Sequence, residues 1–250
     1  MKKSRMAAVL VLAVWAIIAG PAAADELKEK VRNVSIYGNA ENVEMEIRMV
    51  INEGGREKER TLEAFVHRDG DEAKVLIHII SPAYLNRMKF LSIRDASGRE
   101  SRWLRTSQVK RRLSENDSGE RLFGSDFTVE DLSAFSAEDY TYSDLGTERI
   151  NSIPCIVIKA VPKTGKKELE EKHLYIDDAA GMLVRADFFD DSGKLYKQYI
   201  LDSTQQVEGN TFPRSCTMKS IDEGSRTELL FEEIEEKDAL PARYFNQGNL

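Results

Sequence analysis

The sequence has few of the residues that most catalytic and metal sites use. It contains two cysteines and three histidines in 250 residues. The histidines, His67, His78 and His173, lie in separate strand-like runs without the spacing of metal ligands. It contains no nucleophile elbow, glycine-rich phosphate loop, HExxH motif or paired-cysteine zinc pattern. We therefore expect no cofactor or metal site, and no motif in the sequence indicates an enzyme.

The two cysteines, Cys155 and Cys216, both lie in strand-like runs. An even number of cysteines permits a disulfide in an oxidising compartment. A simple meander would place three strands between them, which is too far for a disulfide within a regular sheet. The sequence leaves their pairing open.

Excess positive charge is also lacking. The formal net charge is −7, and removal of the three basic residues near the N-terminus, with no acidic residue lost, would lower it to about −10. This balance argues against a nucleic-acid partner and against electrostatic adhesion to anionic lipid. Basic residues do cluster at Arg102, Arg105, Lys110, Arg111 and Arg112. The cluster is either a solvated strand end and loop or a surface for an acidic partner.

One long apolar run occurs, at residues 6–19, after Lys2, Lys3 and Arg5. It precedes Ala22-Ala23-Ala24, and this three-part pattern is typical of a secretory signal peptide. The run is short for a membrane span. We expect a signal peptide over residues 1–24, cleaved after Ala24, and a single mature domain over residues 25–250 in the bacterial periplasm.

Alternating apolar and polar residues, with regularly spaced turns, predict a strand-rich chain. A short amphipathic helix is expected at residues 25–34. Local hairpins favour an antiparallel meander over alternating β-α units. The predicted strands are residues 45–51, 61–67, 73–79, 89–94, 99–106, 140–149, 153–161, 172–177, 183–189, 195–202, 211–221 and 226–233.

Little helix is available to cover the apolar face of so many strands. The sheet must then close on itself as a barrel or hold a guest molecule. Methionine and aromatic side chains suit a pocket that accepts acyl chains of variable shape. The residues expected to line this cavity are Met45, Ile47, Met49, Val75, Ile77, Phe90, Trp103, Met182, Val184 and Phe188.

A central stretch, residues 122–135, lies between the two groups of strands and lacks strand alternation. Thr128 can cap a short helix, with Glu130 and Asp131 in its first turn. Capping also explains these acidic residues, together with Asp126, better than a catalytic acid pair does. The stretch is either a core plug or a movable cover over the cavity. The residues expected to form the cover are Leu122, Phe123, Phe127, Leu132 and Phe135.

Arg111-Arg112, a polar gap and then residues 123–132 (FGSDFTVEDL) resemble the signature of the LolA-like outer-membrane lipoprotein-sorting family. Residues 82–91, 189–194 and 240–245 fit the same resemblance. It implies an unclosed, or half, β-barrel: a curved antiparallel sheet wrapped about a few short helices. Members of this family carry lipoproteins through the periplasm, and related domains are lipid carriers or sensors.

The resemblance favours the cover over the plug and predicts a periplasmic carrier. Such a carrier would bind lipid or lipoprotein acyl chains for transfer toward the outer membrane, with an inner-membrane transporter and an outer-membrane acceptor as candidate partners. The alternative is a sensor or adaptor that binds a protein partner, such as an inner-membrane exporter, through the same concave sheet. A third hypothesis, less favoured than the other two, is an esterase-like enzyme.

Overall fold

The structure is a computed structural model that describes residues 21–32, 34–133, 137–163 and 171–250. Most of the expected signal peptide, Phe135 and part of the expected turn at residues 163–165 lie outside the described residues.

The described helix is α1, Pro21–Arg32, which begins and ends earlier than the predicted helix. The strands are β1 (Asn42–Glu53), β2 (Arg56–Asp69), β3 (Glu72–Ser81), β4 (Lys89–Arg94), β5 (Glu100–Arg105), β6 (Lys110–Leu113), β7 (Tyr140–Ile150), β8 (Ile153–Pro162), β9 (Glu171–Asp177), β10 (Met182–Phe189), β11 (Leu195–Val207), β12 (Asn210–Ser220) and β13 (Ser225–Glu236). Short 3₁₀ turns occupy Ala83–Leu85, Glu115–Asp117, Leu122–Gly124, Ala137–Asp139, Ala242–Phe245 and Gln247–Asn249.

All thirteen described strands form one antiparallel sheet that does not close into a barrel. Its order is β6-β5-β4-β3-β2-β1-β13-β12-β11-β10-β9-β8-β7. The mainly-β, unclosed fold predicted from the sequence is therefore confirmed. Hairpin turns connect neighbouring strands within each half, as periodicity predicts. The two halves join through the pairing of β1 with β13, which no turn sequence indicates.

Because β1 pairs with β13, strands β6 and β7 lie at opposite edges of the sheet. Residues 114–139 join these two edges along the chain, and the described residues 114–133 cross the inner face of the sheet. We call the described part of this crossing, residues 114–133, the strap. Its apolar side chains belong to the same buried core as the inner-face residues of β1, β3 and β10. The strand order requires a connection between the two edges, and the burial of the strap side chains in this core shows that it runs over the inner face.

Strand β6 was not predicted, because its sequence, KRRL, offers almost no apolar alternation. It forms an edge strand, where charged side chains discourage pairing with other chains. The basic cluster in this region is not simply solvated, because Arg102 is buried against Glu100. Arg111 likewise pairs with Asp117, at 3.1 Å, and with Glu120.

A second, smaller apolar cluster lies on the outer face of the sheet and contains Phe65, Leu76 and Leu91. Residues near the C-terminus cover it, and the rings of Phe65 and Tyr244 have centroids 4.2 Å apart. Trp103 packs against this outer cluster, so its assignment to the cavity is corrected. It lies directly opposite Leu91 in the β4–β5 ladder, and paired residues project to the same face.

Cys155 and Cys216 are both free and buried. They lie in β8 and β12, with three strands between them as the meander predicts. Burial raises the pKa of each thiol. None of the helices in the described ranges has the length and apolar character that crossing a bilayer requires.

We predict that Gly38→Ala lowers the free energy of unfolding by about 2–5 kcal/mol, through overpacking and backbone strain. Gly38 has φ +82°, and a Cβ atom there would lie 2.5 Å from Cδ1 of the buried Phe212 ring. Gly54→Ala is the matched control, because Gly54 has φ +57° with nothing within 4 Å of the added Cβ. Urea denaturation measures both variants. An equal loss of unfolding free energy in Gly38→Ala and Gly54→Ala would contradict close packing of residues 34–41 on the sheet.

Candidate functional site

A hollow lies on the inner face, between the strap, α1 and the two halves of the sheet. Its volume is about 80 Å³. Apolar lining comes from Val31 beside the roof residue Phe127, and from Val75, Leu174 and Met218 in the sheet. Lining from both halves means that the sheet curves around the hollow.

The hollow has room for several water molecules. It is smaller than the roughly 300–1,000 Å³ of pockets that enclose drug-sized ligands. A long acyl chain would therefore need one of the covering elements to move.

The structure brings most of the sequence-predicted cavity residues onto one face, but few of them line the hollow. Val75 and Phe188 contribute to the lining. Phe127, predicted as part of the cover, also lines it. The remaining predicted cavity residues apart from Trp103 belong to the same buried core and pack beside the hollow: Met45, Ile47, Met49, Ile77, Phe90, Met182 and Val184.

The strap covers the inner face, as expected of the central stretch, but its described part is not an α-helix. It contains two 3₁₀ turns, Glu115–Asp117 and Leu122–Gly124, and then irregular turns through residue 133. Apolar strap side chains are at most 4% exposed: Leu122, Phe123, Phe127, Val129 and Leu132. Burial of such a side chain stabilises by about 1.5–3 kcal/mol. Lifting the whole strap would therefore cost about 10 kcal/mol.

Two lysines that the sequence analysis missed project from the sheet toward the strap. Lys172 donates to Glu130 at 2.9 Å, and Lys197 pairs with Asp131. Both ammonium groups lie over the ring of Phe188, at 5.4 and 4.9 Å from its centroid. A lysine at an inward-facing strand position is the sequence signal that could have revealed them, because strand alternation places residues 172 and 197 inward.

The acidic strap residues act mainly as anchors. Asp131 accepts hydrogen bonds from the Thr128 amide, at 2.7 Å, and from the Thr128 hydroxyl, at 2.8 Å. This is the expected capping pattern, but no α-helix follows in the described residues. The same carboxylate reaches Lys197.

Asp126 anchors the strap to β13. Its buried carboxylate accepts a hydrogen bond from the Thr227 hydroxyl at 2.6 Å and another from the Ser225 hydroxyl. Its backbone amide donates to Thr227 Oγ1 at 2.9 Å. Arg121 supplies a charged partner, with Nη2 at 3.2 Å from Asp126 Oδ1.

The other cover, α1, is held mainly by partly exposed ion pairs. They are Lys28–Glu138 at 2.7 Å, Lys30–Asp178 at 2.6 Å, and Arg32–Asp71 and Arg32–Glu138, both at 3.1 Å. Exposed pairs of this kind contribute about 0–1 kcal/mol each and weaken with salt. Among the described side chains of α1, Val31 is fully buried and Leu27 is partly buried against the same core. The attachment of α1 is therefore weaker than that of the strap.

The hydrogen bond from Lys28 is the main cause that lowers the pKa of Glu138. A carboxylate with a lowered pKa stabilises the folded arrangement above its unfolded pKa and loses that effect as the pH falls through the folded value. The contacts of α1 with Glu138 are therefore fully charged at neutral pH and weaken only in acid.

Tyr199 lies in the lining of the hollow, and its side chain is almost fully buried. The thiol of Cys216 is the polar group beside its hydroxyl. No group of three potential metal ligands occurs within the described ranges.

We predict that Asp131→Ala lowers the free energy of unfolding by about 3–5 kcal/mol, because it leaves the ammonium of Lys197 buried without its partner. The Asp131 and Lys197 side chains are 8% and 9% exposed. Asp222→Ala is the matched control, because its pair with Lys194 is about half exposed, so we expect less than about 1 kcal/mol. Chemical denaturation compares the two. Similar small losses in both variants would show that Asp131 does not anchor the strap.

Comparison with solved structures supports the LolA-like fold. A DUF1329 family protein from Desulfovibrio piger is 21% identical, with a TM-score of 0.78, over 91% of this chain and 97% of that one. A putative outer membrane lipoprotein-sorting protein domain from Vibrio parahaemolyticus is 21% identical, with a TM-score of 0.77, over 90% and 96% of the two chains. A LolA superfamily protein from Nitrosomonas europaea is 19% identical, with a TM-score of 0.66, over 91% and 99%.

These similarities show the fold, and a comparison with curated proteins finds no match. A family model described as "uncharacterized protein"-like matches residues 71–250. That range includes β3 to β13, the strap and most of the hollow's lining. Because the match spans more than half of the sequence, this chain belongs to the family that the model describes, and it has the LolA-like fold.

Proposed function

We propose that this protein is a periplasmic carrier that binds the acyl chains of a lipid or lipoprotein in the hollow. The observation that carries the proposal is an apolar hollow enclosed between a curved sheet, a fixed strap and a weakly attached helix. The name of the similar Vibrio parahaemolyticus domain, an outer membrane lipoprotein-sorting protein domain, agrees with this use of the fold. The signal-peptide pattern in the sequence supports export to the periplasm.

The energetics favour a carrier that uses no covalent chemistry. Each methylene group moved out of water contributes about 0.8 kcal/mol. Ten methylenes would contribute about 8 kcal/mol, which is enough to offset displacement of α1 and still give useful affinity. We propose that α1, rather than the strap, moves to admit the guest, because burial holds the strap far more tightly.

An adaptor that uses the inner face as its docking surface is less well supported. The strap and α1 already cover that face, so a protein partner could reach it only after both were displaced. The two functions are separated by native mass spectrometry and lipid extraction of protein isolated from the periplasm. Co-purifying lipid or acylated protein supports the carrier. A stable protein partner with no lipid would favour the adaptor.

We predict that Ala186→Phe weakens binding of a neutral fluorescent probe, N-phenyl-1-naphthylamine, and of palmitate by at least about tenfold. Ala186 lines the hollow and is fully buried. A phenyl ring there would exclude two or more methylenes, and about 1.4 kcal/mol corresponds to tenfold in affinity. Ala64→Phe is the matched control, because Ala64 is equally buried in the same core but lies outside the described lining. Equal weakening in both variants would point to general misfolding instead.

We also predict that palmitate enters faster at higher ionic strength, because salt weakens the exposed ion pairs of α1.

Glu138→Gln removes a partner of both Lys28 and Arg32, so this variant should take up palmitate faster at low salt and respond less to added salt. Stopped-flow fluorescence measures the rate. Glu235→Gln, which alters an exposed pair with Lys237 far from α1, should behave as the unmodified protein. Uptake independent of salt and of Glu138 would exclude α1 as the moving cover.

A further inference from the structure

Two arginines project toward the hollow from the first half of the sheet. Arg68 of β2 pairs with Ala73 of β3, and Ala73 pairs with Arg94 of β4. Directly paired residues share a face, so both guanidinium groups flank the small Ala73 side chain, on backbones about 10 Å apart. All three residues line the hollow. Arg94 is only 5% exposed, which is unusual for a charged side chain.

Arg94 lies where the apolar hollow borders a polar pocket. This second pocket has Arg94 and Arg32 in common with the hollow. Its other lining includes Asp71, Ser97 and Glu138. An apolar environment and a polar one therefore lie on either side of Arg94.

Arg94 donates from Nε to the backbone oxygen of Asp71 at 2.9 Å. Asp71 and Glu100 are its nearby carboxylates, and Glu100 itself hydrogen-bonds to Arg102 and Ser92.

The two guanidinium groups also repel each other. Burial, with a smaller contribution from Arg94, lowers the pKa of Arg68 to about 10. Burial likewise lowers the pKa of Arg94. Two like charges held side by side in a partly buried site are stabilised when an anion lies between them. Guanidinium groups suit this task, because they bind carboxylate or phosphate oxygens in pairs.

We propose that Arg68 and Arg94 bind the anionic head of an acyl-chain ligand, a carboxylate or a phosphate, while its tail lies in the hollow. This inference rests on the proposed acyl-chain binding and specifies the ligand as an anionic amphiphile. The proposal predicts that the protein prefers fatty acids and phosphate-bearing lipids over ligands whose acyl chains are attached to an uncharged group.

The test compares hexadecanol, palmitate and hexadecyl phosphate as competitors of N-phenyl-1-naphthylamine, which carries no charge. The unmodified protein should bind at least one of the two anions about tenfold or more tightly than the alcohol. Arg68→Met and Arg94→Met should reduce this preference, measured within each variant as the ratio of anion to hexadecanol affinity, to about twofold or less. Arg94→Lys, which keeps the charge, should retain part of the preference. Tighter binding of palmitate would identify the preferred head as a carboxylate, and tighter binding of hexadecyl phosphate would identify it as a phosphate.

Arg99→Met is the control for net charge, because the Arg99 side chain is 82% exposed and lies outside both described linings. It should keep the full preference for anions. Equal binding of all three competitors would overturn the head-group site and leave the carrier proposal intact. Failure of all three to displace the probe would overturn the carrier proposal itself. Loss of the preference in Arg99→Met would attribute it to overall charge, against a site at Arg68 and Arg94.

Discussion

The pairing of β1 with β13 is the constraint on which the rest of the structure depends. It joins two meanders into one sheet and leaves β6 and β7 at opposite edges. The chain has to return from one edge to the other, and the apolar side chains of the strap place this return over the inner face. The hollow is the space that remains where this crossing and α1 meet over a curved surface.

The two covers differ in how they are held. The strap contributes a row of fully buried apolar side chains and sets Asp126, Glu130 and Asp131 against polar partners on the sheet. Helix α1 depends on partly exposed ion pairs and the burial of Val31. A carrier would need one cover that is displaced at a small cost in free energy and a second that stays in place. The weakly held α1 and the tightly held strap would meet these two requirements. The arginine pair at the mouth would add selectivity for the head of the guest.

Strand positions could be predicted from the sequence because alternation and turn residues are local signals. The pairing of β1 with β13 could not, because it joins distant segments without a turn between them. Trp103 was misassigned because β2 to β5 carry apolar residues on both faces, and alternation alone does not say which face is inside. Lys172, Lys197 and Arg94 were missed because a charged residue in a strand is ordinarily taken to face solvent. Alternation with apolar neighbours places Lys172 and Lys197 on the inner face, but the folded sheet is needed to show that they meet the strap.

Photo-crosslinking would show whether an acyl chain occupies the hollow beneath the strap. Palmitate bearing a diazirine near its tail would be bound, irradiated and located by peptide mass spectrometry. We expect label on peptides that contain Leu174, Ala186 and Met218, which line the hollow, and loss of that label with excess unmodified palmitate. Label confined to the outer cluster around Phe65 and Leu91, or label insensitive to competition, would contradict it.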